Sequence, residues 1–246
     1  MFLELESNNA FRTNYFEMLK YRLAYGSLEL EGVDDDLSNI KQSIQIFNQL
    51  QAINYIFDNH KKGDLSHMEF TNLLCDVVQK VSGDEISNFR TTSAIVQGSH
   101  VPRTEPYLIR NNLWYLLDDY NYQISLCKTE REIFEAEAMF HIRLLHIHPF
   151  EDDNGRTSRI FLAYNLCKNN LAPCIITKEN KKLYCDLIEK ADYKGLADLF
   201  EELSKKELDV MLSLYRKLSE AGKIPGNLMT DEQEKEYKLI KSRKNN

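Results

Sequence analysis

Apolar side chains recur at three- and four-residue intervals along most of this chain, the spacing that gathers one face of an α-helix. Phe11, Tyr15, Met18, Leu19 and Arg22 keep that rhythm over 8–25, and Gly26 is expected to interrupt it before a turn at 27–31. Residues 32–36 read as a linker whose three aspartates suit the start of a second helix over 37–59, with Ile40, Ile44, Phe47 and Phe57 on its core side. Lys61, Lys62 and Gly63 end that helix. Ser66-x-x-Glu69 and Thr129-x-x-Glu132 are capping-box patterns, opening helices that run to about Val81 and over 133–145. Helix also returns at 113–117.

From Gly83 to Arg110 the helical rhythm is lost. Ile95, Val96, Gln97, Gly98 and Ser99, followed by Val101, Pro102 and Pro106, predict a short hairpin. Past residue 160 a helix closes at Asn169-Asn170 and Pro173, and further helices are expected over 180–191, 196–203 and 205–220. Ile224-Pro225-Gly226 marks a late boundary before a charged tail. The pattern is all-α with one small hairpin.

Composition narrows the function. With 246 residues, 43% hydrophobic and 11% aromatic, the chain suits one generous domain with helical additions. A net charge of −7 argues against a nucleic-acid surface as the main function. The cluster of Lys238, Lys241, Arg243 and Lys244 reads as a solvated helix end. Five scattered cysteines without CxxC pairing read as reduced core thiols, the first residues are too acidic for a signal peptide, and no stretch reaches the length of a membrane span. The expected compartment is the cytoplasm.

The chemistry concentrates in His148-Pro-Phe-Glu-Asp-Asp-Asn-Gly-Arg-Thr-Ser-Arg159. Pro149 restricts His148 to an extended or turn conformation and ends the preceding helix. Asp153-Asn154-Gly155 is turn chemistry. Ile160, Phe161, Tyr164 and Leu166 then resume a helical pattern, so Gly155 or Arg156 is expected to open a helix whose free N–H groups favour an anion. Arg156 and Arg159, three residues apart, can reach one ligand. Two arginines, a helix N-terminus and a carboxylate describe a polyphosphate cradle, with His148 as general base at its rim. A zinc cluster of His141, His146 and His148 fits no usual spacing.

The segment resembles the Fic-family signature HPFx(D/E)GN(G/K)RxxR at His148, Pro149, Phe150, Asp152, Asn154, Gly155, Arg156 and Arg159; Asp153 stands where that family has Gly. Upstream, Ser27-Leu-Glu-Leu-Glu31-Gly32 resembles the family's inhibitory motif (S/T)xxxE(G/N). The resemblance implies a Fic-type helical bundle with a small β-hairpin flap: an N-terminal helical region 1–59 with its inhibitory segment near 27–32, a core over 60–203 and a helical extension over 204–246. It implies transfer of AMP from ATP to a Ser, Thr or Tyr hydroxyl of a target protein, the enzyme itself among possible targets. His148 would act as base, and Asp152 would ligate Mg²⁺. Asn154, Gly155, Arg156 and Arg159 would hold the phosphates, and Tyr184 and Leu187 would border the adenine. Residues 95–99 would dock the target, while Ser27 and Glu31 would restrain the site by pairing Glu31 with Arg159, the self-restrained class II arrangement.

Asp153 leaves three alternatives open: its carboxylate points away, joins the metal site, or opposes the polyphosphate and weakens binding. AMP removal, another nucleotide donor, or a non-catalytic nucleotide-binding interaction protein are the competing functions. Apolar residues on the N-terminal helices suit a core or a homodimer surface equally.

Overall fold

A computed structural model describes residues 8–32, 40–59, 65–85 and 88–224. The 33–36 linker, the Lys61–Gly63 stop and the charged tail lie outside them. The helices are α1 (Asn9–Leu30), α2 (Ile40–Asn59), α3 (His67–Ser82), α4 (Ile109–Leu126), α5 (Glu130–Ile147), α6 (Asn154–Lys168), α7 (Lys181–Glu189) and α8 (Tyr193–Glu220), with short 3₁₀ turns ahead of α4 and α7.

Both capping boxes form as the sequence requires: Ser66 caps α3 and Thr129 caps α5, each answered by the glutamate three residues on. The antiparallel pair α5–α6 is the spine. α5 packs on α4, α6 and α8, while α6 also meets α1, α2 and α3. Its two faces serve two hydrophobic clusters. Phe140, Leu144, Ile147, Ile160 and Phe161 belong to the larger, and Phe134, Ala138, Ile142, Leu162 and Leu166 to the smaller. The loop joining α5 to α6, anchored in the larger cluster by Phe150, carries the signature.

Several expectations are corrected. α1 does not break at Gly26 but continues to Leu30. Glycine is needed there for closeness: a Cβ at Gly26 would lie 2.9 Å from the Ile176 carbonyl oxygen and 3.4 Å from an Ile175 methyl. The core face of α2 is rotated, with Ile46, Gln49, Ala52, Ile53 and Ile56 buried while Ile44 and Phe47 are more than half exposed. Phe57 is partly buried against the larger cluster. The helices expected over 196–203 and 205–220 are one, because Ser204 does not break the turn; its hydroxyl donates to the Ala172 carbonyl at 2.7 Å.

The hairpin does not form strands among the described residues. Residues 96–99 make a turn, with Gly98 at φ 79° and the Ser99 N–H on the Val96 carbonyl. The Thr92 and Thr104 carbonyls, placed to begin a ladder, both accept from the Arg90 guanidinium instead. The flap is a loop with its backbone anchored elsewhere.

Gly26→Ala is expected to destabilise the protein by about 1–3 kcal/mol through overpacking, outweighing the ~1 kcal/mol helix-propensity gain. Thermal unfolding checks it: a lowered Tm is expected, and a raised one would contradict the close approach.

Candidate active site

The signature loop begins in strained backbone. His148 is the C-cap of α5 at φ 52°, ψ 62°, left-handed rather than the extended or turn geometry that Pro149 favours, with its N–H on the Leu144 carbonyl. Non-glycine residues occupy this region at a cost, and hold it where their surroundings over-determine it. Phe150 anchors the loop in the larger cluster, with its ring against Phe89. Asn154, expected to donate to phosphates, closes the loop: its amide oxygen accepts from the Phe150 N–H at 3.0 Å and its amide nitrogen donates to the Phe150 carbonyl at 2.8 Å.

Helix α6 opens at Asn154, one or two residues earlier than expected, with Asp153 as a left-handed N-cap at φ 66°. The first bond of the helical ladder runs from the Thr157 N–H to the Asp153 carbonyl. The N–H groups of Asn154, Gly155 and Arg156 thus have no intrahelical acceptor and form the positive end of the helix. Gly155 leaves space for a guanidinium, since a Cβ there would meet Arg159 Nη1 at 2.9 Å.

Both signature arginines are engaged by one carboxylate. Glu31, the C-cap of α1, sets Oε1 3.0 Å from Arg159 Nη2 and Oε2 3.1 Å from Arg156 Nε. Ser27, one helical turn earlier, accepts from Arg159 Nε through its hydroxyl at 2.7 Å and from Nη2 through its carbonyl at 3.2 Å. The sequence pairs Glu31 with Arg159 alone; the structure adds Arg156. Asp153 does not point away. Its buried carboxylate pairs with Arg156 Nη2, so a second anion occupies that guanidinium. Asp152 is exposed, and its Oδ1 accepts from the Asp153 N–H at 2.7 Å.

His148 is half-buried, and burial pushes its pKa down to about 4, with the positive charge of Arg103 acting in the same direction and Asp152 opposing. The imidazole is therefore neutral, the form that accepts a proton. His141 is fully buried, bonded to the Tyr184 hydroxyl at 2.6 Å and edge-on to Phe200, and His146 meets the Ile188 carbonyl at 3.0 Å. Tyr184 and Leu187 are buried in the smaller cluster, so the face of α7 that carries them is packed. Ile95 is 94% exposed at the flap. Ser99 donates from its hydroxyl, and His100 from its backbone N–H, to Glu189 at the end of α7, each at 2.6 Å.

Sequence reasoning missed Arg90, Arg103 and Glu189. Arg90 bonds the carbonyls of Ile147 and His148. Arg103 donates to the Ser99 hydroxyl at 2.7 Å. A cation in an irregular stretch, with partners on distant backbone, leaves no periodic signal.

Residues 69–166 match the model of the Fic/DOC family. The chain is 35% identical over 85 residues to a protein adenylyltransferase Fic of Aedes aegypti, covering 33% of this chain and 17% of that one. It is 31% identical over 182 residues to the Drosophila grimshawi protein of the same name, covering 72% of this chain and 36% of that one. The chain thus spans about a third or less of these relatives' length. Its fold matches a Fic domain containing signaling protein from Bacteroides thetaiotaomicron at TM-score 0.70, with 15% identity over 87% of this chain and 94% of that one. It matches Fic-1 from C. elegans at TM-score 0.68, with 17% identity over 87% of this chain and 67% of that one.

An NMR titration of the His148 ring, assigned by difference with His148→Ala, should give a midpoint near pH 4. A midpoint of about 6.5, that of an unperturbed imidazole, would contradict the buried, cation-flanked environment.

Proposed function

The chain carries a Fic/DOC-family domain, and on that premise we propose that it is a protein adenylyltransferase, moving AMP from ATP to a hydroxyl of a protein and restrained by its own Glu31. One observation carries the reading: a carboxylate bridges the two guanidiniums at the positive end of α6, the helix that the His148 loop leads into. Arginine forks at a helix N-terminus suit phosphate oxygens, and Glu31 is an anion in the same seat.

With Glu31 withdrawn, Arg156 and Arg159 face the β- and γ-phosphates, and the first-turn N–H groups of α6 add donors. His148 takes the proton from a target Ser, Thr or Tyr hydroxyl. The freed oxygen attacks the α-phosphorus, the bond to the α,β-bridging oxygen breaks, and pyrophosphate leaves into the arginine cradle. The exposed Ile95 and its neighbours through Ser99 receive the target segment, whose main chain pairs along the flap.

Among the described residues no group of three or more His, Cys, Asp or Glu is placed to hold a metal ion. Asp152 fits a site shared with the nucleotide: a single exposed carboxylate, with phosphates and water completing the shell, is a usual Mg²⁺ arrangement. When bound, the ion offsets phosphate charge. No described helix is long and apolar enough to cross a membrane. A second reading, weak nucleotide binding without turnover, is favoured by Asp153 alone, whose charge opposes the β-phosphate at Arg156.

Incubation with α-labelled ATP and Mg²⁺ separates the two. Glu31→Gly is expected to label protein at least about tenfold faster than wild type, a change worth ~1.4 kcal/mol of barrier, and Glu31→Gly/His148→Ala not at all. Adding Asp153→Gly, which accepts the left-handed N-cap without strain, is expected to raise the rate again. No label from any variant would refute AMP transfer, and an unchanged rate with Asp153→Gly would remove Asp153 as a brake.

A further inference from the structure

Flap and catalytic loop share one buried cation. Arg90 is 3% exposed, and its four side-chain hydrogen bonds all end on backbone carbonyls. Nε donates to His148 at 2.6 Å, Nη1 to Thr92 at 2.6 Å, and Nη2 to Thr104 and, at 3.3 Å, to Ile147. The Arg90 backbone N–H adds a bond to the Pro149 carbonyl at 2.9 Å. Thr92 and Thr104 are the two feet of the flap, and Ile147 to Pro149 is the stretch that presents the catalytic imidazole.

Taking a guanidinium out of water is costly unless its donors are met, and here carbonyl dipoles meet them. The arrangement needs a planar fork: five N–H groups fixed in one plane reach acceptors on several sides, whereas an ammonium is a point charge on a flexible stem. It also falls where the backbone needs holding, because His148 sits in the left-handed region and its carbonyl is the atom Arg90 grips.

We propose that Arg90 is the positioning residue that registers the flap against His148. One guanidinium fixes both feet of the flap and the carbonyl of the catalytic histidine, so a polypeptide laid along the flap arrives at a set distance from the imidazole. Arg90 touches neither nucleotide nor target. Its effect is on the geometry between the two, and a misplacement of ~1 Å between reacting groups costs on the order of a hundredfold in rate. The inference rests on the AMP-transfer reading for its kinetic readout only.

The test uses Arg90→Lys and Arg90→Gln in the Glu31→Gly protein. Lysine keeps the charge and loses the fork, so it separates geometry from electrostatics and guards against a glutamine variant that fails to fold. For Arg90→Lys, labelling at saturating ATP is expected to fall by about ten- to a hundredfold, while the Kd for Mg·ATP stays within about threefold. Hydrogen–deuterium exchange should rise together in peptides covering 92–104 and 147–150, with α3 unchanged. A rate equal to the parent's, a Kd that weakens in step with the rate, or faster exchange in only one of the two peptides would overturn the proposal. Absence of label already in the Glu31→Gly parent would count against AMP transfer, and the exchange arm then decides the coupling by itself.

Discussion

The carboxylate of Glu31 between Arg156 and Arg159 is the contact to which the rest of this structure is answerable. Two guanidiniums converge at the start of α6, where the helix already presents unpaired N–H groups, and such a concentration of positive character requires an anion. The chain supplies two of its own, Glu31 from α1 and Asp153 from the N-cap. A triphosphate carries more charge and more acceptor oxygens than either carboxylate, so on the proposed reading it would displace the resting pairing.

The packing of α1 decides how firmly that pairing is held. Glu31 has little purchase alone, being partly exposed at a helix end. It is aimed by α1, which buries Phe11, Tyr15, Leu19 and Leu23 in the larger cluster and approaches the Ile176 backbone closely at Gly26. A buried carboxylate, Glu207 of α8, accepts from the Tyr15 hydroxyl at 3.0 Å and pairs with Arg22 at 2.6 Å, tying the helix to the end of the bundle away from the signature. Withdrawing Arg22 and Tyr15 would leave the buried Glu207 carboxylate uncompensated, so these links resist loosening. On the proposed reading, restraint of the site would be a property of the whole α1 interface.

The local features were legible from sequence because they are local. Capping boxes and the turn before α6 follow from short-range spacing, while the pairing of Glu31 with Arg159, far apart in sequence, was available only through the motif resemblance. What stayed hidden depends on contacts between distant segments. Gly26 reads as a helix breaker until Ile176 is known to lie against it. Ile44 and Phe47 fit an apolar stripe, but the stripe that packs is set by the position of α3 and α1, and it runs through Ile46, Ile53 and Ile56. The flap sequence with its Gly98 turn reads as a hairpin, yet its backbone bonds to side chains outside any ladder, the Thr92 and Thr104 carbonyls to Arg90 and the His100 N–H to Glu189. Asn154 looks like a ligand-facing amide and closes its own loop instead.

The most direct measurement is calorimetric titration of Mg·ATP into wild-type protein and Glu31→Gly at low ionic strength. If one carboxylate occupies the seat of the β- and γ-phosphates, its removal tightens binding by at least about tenfold, or ~1.4 kcal/mol. Mg·AMP, which reaches neither arginine in this account, binds the two proteins alike. Equal affinity for Mg·ATP in both would mean that Glu31 and the triphosphate do not compete for Arg156 and Arg159, and the restraint described here would not exist.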